Sequence, residues 1–141
     1  RAYDEGMAYR FISKYEGTYK IINEQADFRF DRDYRSHLAY APRGGADGND
    51  RFNSSFEEMY TLTTVNGVIK DKLIMTPMLA VCGNGKKLCI AESDAVNYPG
   101  LFLSRNSNSD DVLNATFAAY PTSMEPSANS GRRLCGVYCR L

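Results

Sequence analysis

The sequence predicts an all-β protein built as one unit, on three observations. Most periodic segments alternate apolar and polar residues with a period of two, and β-branched and aromatic residues concentrate in those segments. Asn84-Gly85 sits between two such segments, and Asn-Gly is the strongest short-range hairpin signal because a type I′ turn needs positive φ at both central residues. A chain of 141 residues with 43% hydrophobic content falls in the range of one domain with its own core.

Taken in order, Met7, Tyr9 and Phe11 share one face against Ala8, Arg10 and Ile12, which predicts a strand after an Asp4-Glu5-Gly6 turn. Glu16-Gly17 permits a turn, residues 18–22 read as a return strand, and residues 25–30 alternate Ala26, Phe28 and Phe30 with Asp27 and Arg29. These three segments are expected to form a meander. Residues 42–55 are too rich in glycine and polar residues to pack and read as a loop. Further strands are expected over 56–64, 72–76 and 78–82, the last closed by Gly83-Asn84-Gly85-Lys86 and returning over 87–91. Residues 101–103 and 112–118 continue the sheet, 121–131 reads as a mobile stretch, and 133–141 is a last apolar segment.

Several function classes are excluded by composition. Lys plus Arg balance Asp plus Glu at 17 each, so no long-range field draws in nucleic acid or a polyanion, and a neutral partner such as a sugar fits better. The longest nearly apolar run, residues 73–82, is interrupted by Pro77 and is far shorter than the ~20 residues that cross a bilayer, so no membrane insertion is expected. The opening Arg1-Ala2-Tyr3-Asp4-Glu5-Gly6 has no basic n-region, apolar h-region or cleavage site, and the chain is expected to be a piece cut from a longer protein.

Motifs for catalysis or metal binding are weak. Cys82, Cys89, Cys135 and Cys139 have the wrong spacing for structural zinc. Cys82 and Cys89 flank the hairpin turn, so a disulfide and a pair of packed free thiols both remain open. The single His37 has no nucleophile motif around it and reads as a surface or half-buried residue. Gly44-Gly45-x-x-Gly48 lacks phosphate-loop spacing, and Asp47, Asn49 and Asp50 lack the remaining EF-hand positions. Asn53-Ser54-Ser55 and Asn114-Ala115-Thr116 match the glycosylation sequon, a short pattern common by chance. Ten tyrosines invite a sugar-stacking role, but Tyr9, Tyr19 and Tyr60 lie in alternating segments and are expected to pack structurally.

One stretch carries more information. Leu88-Cys89-Ile90-Ala91-Glu92-Ser93-Asp94-Ala95-Val96-Asn97-Tyr98-Pro99-Gly100-Leu101-Phe102-Leu103 resembles the strand, glutamate-containing turn and Tyr-Pro-Gly of the N-terminal domains of glycoside hydrolase family 97. Arg1-Ala2-Tyr3-Asp4-Glu5-Gly6-Met7-Ala8-Tyr9-Arg10-Phe11 and Ile22-Asn23-Glu24-Gln25-Ala26-Asp27-Phe28-Arg29-Phe30 resemble two earlier blocks of the same domains, in the same order. The pattern departs at Phe117-Ala118-Ala119-Tyr120-Pro121 and at Leu134-Cys135-Gly136-Val137-Tyr138-Cys139-Arg140.

The resemblance implies a β-super-sandwich related to the galactose mutarotase-like sandwiches, here incomplete, with residues 1–141 one segment of the N-terminal domain. It implies a partner absent from this chain, the protein's own catalytic (β/α)8 barrel, and an oligosaccharide or polysaccharide substrate. Family members are α-glucosidases or α-galactosidases whose catalytic carboxylates lie in that barrel, so no catalytic residue is expected here. The resemblance also implies a calcium cofactor in the full-length enzyme, held by barrel glutamates and by one glutamate from the N-terminal domain, which falls by motif on Glu92. A periplasmic or extracellular bacterial location completes that expectation, and strands lost with the upstream sequence are expected to leave open sheet edges through which homo-oligomers can form. The rival readings are a free-standing carbohydrate-binding β-sandwich module and a purely structural domain stapled by Cys82 and Cys89.

Overall fold

A computed structural model describes residues 1–18, 20–41, 51–52, 56–93, 95–96 and 98–118, together with the backbone of 121–126 and 134–138. No α-helix occurs among the described residues, and no helix is long and apolar enough to cross a membrane. The strands are β1 (Ala2–Tyr3), β2 (Gly6–Met7), β3 (Asp27–Arg29), β4 (Arg35–Tyr40), β5 (Thr61–Thr64), β6 (Leu73–Gly83), β7 (Lys86–Ile90), β8 (Leu101–Arg105), β9 (Val112–Phe117), β10 (Pro121–Pro126) and β11 (Leu134–Tyr138). The fold is all-β, as the sequence predicts.

Seven strands form one antiparallel sheet in the order β3-β9-β8-β6-β4-β5, with β7 also paired to β6. Its spine is β6. Residues 73–76 and 78–82, expected as two strands, are one continuous strand of 11 residues. Pro77 has no N–H to donate to a ladder, and the strand changes neighbours around it. On one edge, Leu73, Ile74 and Met75 pair with β8, while Met78 through Gly83 pair with β7. The Thr76 hydroxyl bridges the change by donating to the Leu101 carbonyl at 3.2 Å.

The β6–β7 connection turns as its sequence predicts. Asn84 and Gly85 both have positive φ, at 48° and 75°. That register places Cys89 opposite Leu79, whereas Cys82 packs against the core on the other face of the sheet. The two thiols are free and cannot be cross-strand neighbours. Cys135 lies on β11, where only the backbone is described, and Cys139 lies outside the described residues.

Both faces of the sheet carry apolar side chains. On one, Leu38, Ile74, Met78, Leu103 and Leu113 are fully buried and are covered by Val65 and Val68 of the β5–β6 connection. On the other, Ala39, Leu73, Met75 and Phe102 form a smaller cluster under Phe52. This second face continues over His37, Leu62, Leu79 and Cys89, which are cross-strand neighbours. There it opens to water: His37 and Cys89 are exposed and Leu62 is 60% exposed.

Four expectations are corrected. First, no meander forms at the start of the chain. β1 and β2 make a small hairpin, residues 8–18 and 20–22 are in no strand, and β3 pairs with β9 instead. The alternation of Met7 to Ile12 is real, but only Met7 and Ala8 meet a neighbour, Ala2 and Arg1 of the hairpin, and Met7, Tyr9, Phe11, Ile12 and Tyr15 all stand exposed. Second, Tyr9 and Tyr60 do not pack structurally, each being 57% exposed, and Tyr19 lies outside the described residues. Third, residues 121–126, read as mobile, form β10 and pair with β11. Fourth, β4 was not anticipated at all, although it is a central strand between β5 and β6. The glycine-rich stretch 42–50 and the sequon at Asn53 lie outside the described residues.

At the β3 edge, side chains reinforce a short ladder. Asp27 accepts from Gln25 and from Asn114 of β9, and these bonds hold its carboxyl below the ordinary 3.8. Asp111 accepts from Ser109 and lies 3.1 Å from the Arg29 guanidinium, which together hold its carboxyl low as well.

Candidate functional site

The sequence directs attention to Glu92. It lies two residues beyond the end of β7, in the 91–100 connection to β8, and its side chain is exposed. Burial of Ile90 in the main core fixes the end of β7, and burial of Phe102 and Leu103 fixes the start of β8. The connection between them is therefore held at both ends by packing.

The glutamate is oriented rather than merely exposed. Its Oε1 accepts the backbone N–H of Leu101, the first residue of β8, at 2.8 Å. Among the described residues its second carboxylate oxygen has no hydrogen-bond partner. A carboxylate with one oxygen fixed by a backbone amide can present the other to a hard cation, and carboxylate oxygens are what such cations prefer. No group of three or more His, Cys, Asp or Glu comes together among the described residues, so an ion at Glu92 needs further donors from elsewhere.

The other half of the connection is tied down by Tyr98. Its hydroxyl donates to the Glu24 carboxylate, 74 residues away in sequence, and its ring meets the edge of Phe117 with centroids 6.0 Å apart. Phe117 is in turn the cross-strand partner of Leu101. Sequence reasoning identified Glu92 by motif but gave no role to Glu24 or Phe117, and Tyr98 entered only as part of the Tyr-Pro-Gly pattern. The signal that could have found the pair is the shared position of Glu24 and Tyr98 in blocks of one resemblance.

Tyr3, Met7, Tyr9, Phe11, Ile12 and Tyr15, followed by Ile21 and Ile22, are exposed along the first part of the chain. Tyr9 and Phe11 contact each other edge to face at 5.9 Å.

Comparison with known proteins agrees with the three sequence blocks. Over 123 residues the chain is 37% identical to a protein of Bacteroides thetaiotaomicron named retaining alpha-galactosidase, an alignment that takes in 86% of this chain and 18% of that protein. The chain thus spans less than a fifth of that relative's length. Residues 1–127 match the family described as Glycosyl-hydrolase 97 N-terminal, a region that includes all three blocks and ends before the departing segment at Leu134. On that match, the chain belongs to the glycosyl-hydrolase 97 N-terminal family.

Proposed function

We propose that this domain is an accessory part of a retaining α-galactosidase-type glycoside hydrolase, where it packs on a catalytic (β/α)8 barrel and lends Glu92 to a bound calcium ion. The observation that carries the reading is the relation of the chain to its relative: nearly all of it aligns, yet it accounts for only 18% of a protein named for galactoside hydrolysis. The rest of such a protein supplies the two carboxyl groups of the retaining mechanism, which stand about 5–5.5 Å apart around the sugar. A periplasmic or extracellular bacterial setting and a saccharide substrate go with this reading.

The donor chemistry at Glu92 fits the metal. Calcium takes about six to eight oxygen ligands and accepts them from separate segments, so a single outlying carboxylate is a suitable contribution. The bound ion supplies a fixed positive charge that joins the two parts of the enzyme. Within this chain, Glu92 offers one oxygen while the Leu101 N–H holds the other. In the full-length protein, calorimetric titration of Glu92→Gln is expected to show calcium affinity reduced about tenfold or more, since one charged ligand is lost. Unchanged affinity would remove Glu92 from the site.

The second reading, a free-standing carbohydrate-binding module, draws on the exposed tyrosines. It is the weaker one. Tyr9 and Tyr15 are mixed with Met7, Ile12, Ile21 and Ile22 on the same segment. Aliphatic side chains offer no flat face to a sugar ring and suit packing against protein. Saturable binding of galactosides by this chain alone would favour the module.

A further inference from the structure

We propose that Tyr98 is a positioning residue that holds Glu92 ready for its ion. The inference rests on the reading of Glu92 as a calcium ligand and adds to it the device that sets its geometry. A chain of contacts runs from Glu92 through the first residue of β8 to Glu24. Glu92 accepts from the backbone of Leu101, Leu101 pairs across the sheet with Phe117, the Phe117 ring meets Tyr98, and the Tyr98 hydroxyl donates to Glu24. Glu24 is itself anchored close to the sheet, because the Ala26 carbonyl accepts from Ala115 of β9 at 2.7 Å and β3 begins at Asp27.

The physical need for such a device follows from where Glu92 sits. It lies on an exposed connection, outside any strand ladder, and an exposed glutamate must lose rotamer freedom when it binds a metal. A connection already fixed lowers that cost at the moment of binding. Tyr98 and Glu24 are both only half-buried, so they do little for the core. Their bond is nevertheless charge-assisted, the stronger kind of hydrogen bond. It joins two segments distant in sequence and ties Tyr98, three residues before Leu101, to the segment that leads into β3.

Two measurements test this. In the 141-residue chain, hydrogen exchange of the Leu101 amide reports directly on the Glu92 contact. Tyr98→Phe keeps the ring against Phe117 and removes only the hydroxyl, and it is expected to raise Leu101 exchange about tenfold. Glu24→Gln retains an oxygen acceptor but loses the charge, and is expected to raise Leu101 exchange by less than Tyr98→Phe does. Calcium titration of the full-length protein is the second measurement. There Tyr98→Phe is expected to weaken binding about three- to tenfold at an unchanged melting temperature, and to add nothing in a Glu92→Ala background, because both act through one group. If Glu92→Ala loses calcium while Tyr98→Phe binds as the parent does, or Leu101 exchange is the same with and without the hydroxyl, the positioning role is overturned. If Glu92→Ala itself binds calcium normally, the metal reading falls and the positioning role falls with it.

Discussion

The 141-residue chain, purified to homogeneity, is expected to hydrolyse neither aryl α-galactosides nor aryl α-glucosides above the uncatalysed rate, with or without calcium. The effect at stake is large, because enzymes accelerate such reactions by at least about a millionfold. Glycoside hydrolysis by retention needs a carboxyl held protonated near neutral pH as the acid and a second, ionised carboxyl as the nucleophile. A general acid requires its carboxyl pushed up by burial or a like charge. The Asp27 and Asp111 carboxyls are pushed down, chiefly by hydrogen bonds from Gln25 and Ser109 respectively, the wrong direction for that task. Both are also engaged at the β3 edge, where Asn114 and Arg29 occupy them. Calcium-dependent turnover by the homogeneous chain, with burst or steady-state kinetics on a nitrophenyl α-galactoside, would contradict the assignment of catalysis to another part of the protein.

Replacing Leu103 with alanine should cost this chain about 2–5 kcal/mol, the range for a buried leucine that leaves a cavity. Leu103 is fully buried in the main cluster with Ile74 and Leu113, on a strand paired to β6 on one side and β9 on the other. Folded domains have only about 5–15 kcal/mol of stability, and the melting point should fall by roughly 7–17 °C. Leu62 offers the contrast. It has the same chemistry but stands 60% exposed on β5, and Leu62→Ala should stay within about 0.5 kcal/mol in this chain. In the full-length protein the contrast should narrow if the open half of that face is covered there. Thermal melts of both variants decide the matter, and equal shifts would contradict the placement of the core.

The local signals that survive into the structure are those that depend on few residues. Asn84-Gly85 specifies its turn through its own backbone preferences, and β7, β8 and β9 keep visible strand patterns. Strands whose environment departs from the simple one-face-buried rule were harder to read. In β4 the fully buried Ser36 and the exposed Arg35 and His37 hide the alternation, since the inward position is polar. Ser36 is accommodated by donating to the Tyr34 carbonyl at 3.2 Å, a pairing no pattern announces. In β6 both faces are buried near Leu73, Ile74 and Met75, so the segment shows an apolar run and Pro77 looked like a break. The first segment fails for the opposite reason, because its alternation is clear but its apolar side chains remain in water. Glu92 was legible only through family resemblance. Spacing alone does not single out one exposed glutamate, and its bond to Leu101 and the link between Tyr98 and Glu24 depend on tertiary contacts.

The most direct test of the account is a crystal structure of the full-length protein with calcium bound. The account predicts a Glu92 oxygen about 2.3–2.6 Å from the ion, the remaining donors coming from the catalytic part, and Met7, Phe11 and Ile12 out of water. An ion fully coordinated without Glu92, with that carboxylate left in solvent, would contradict it.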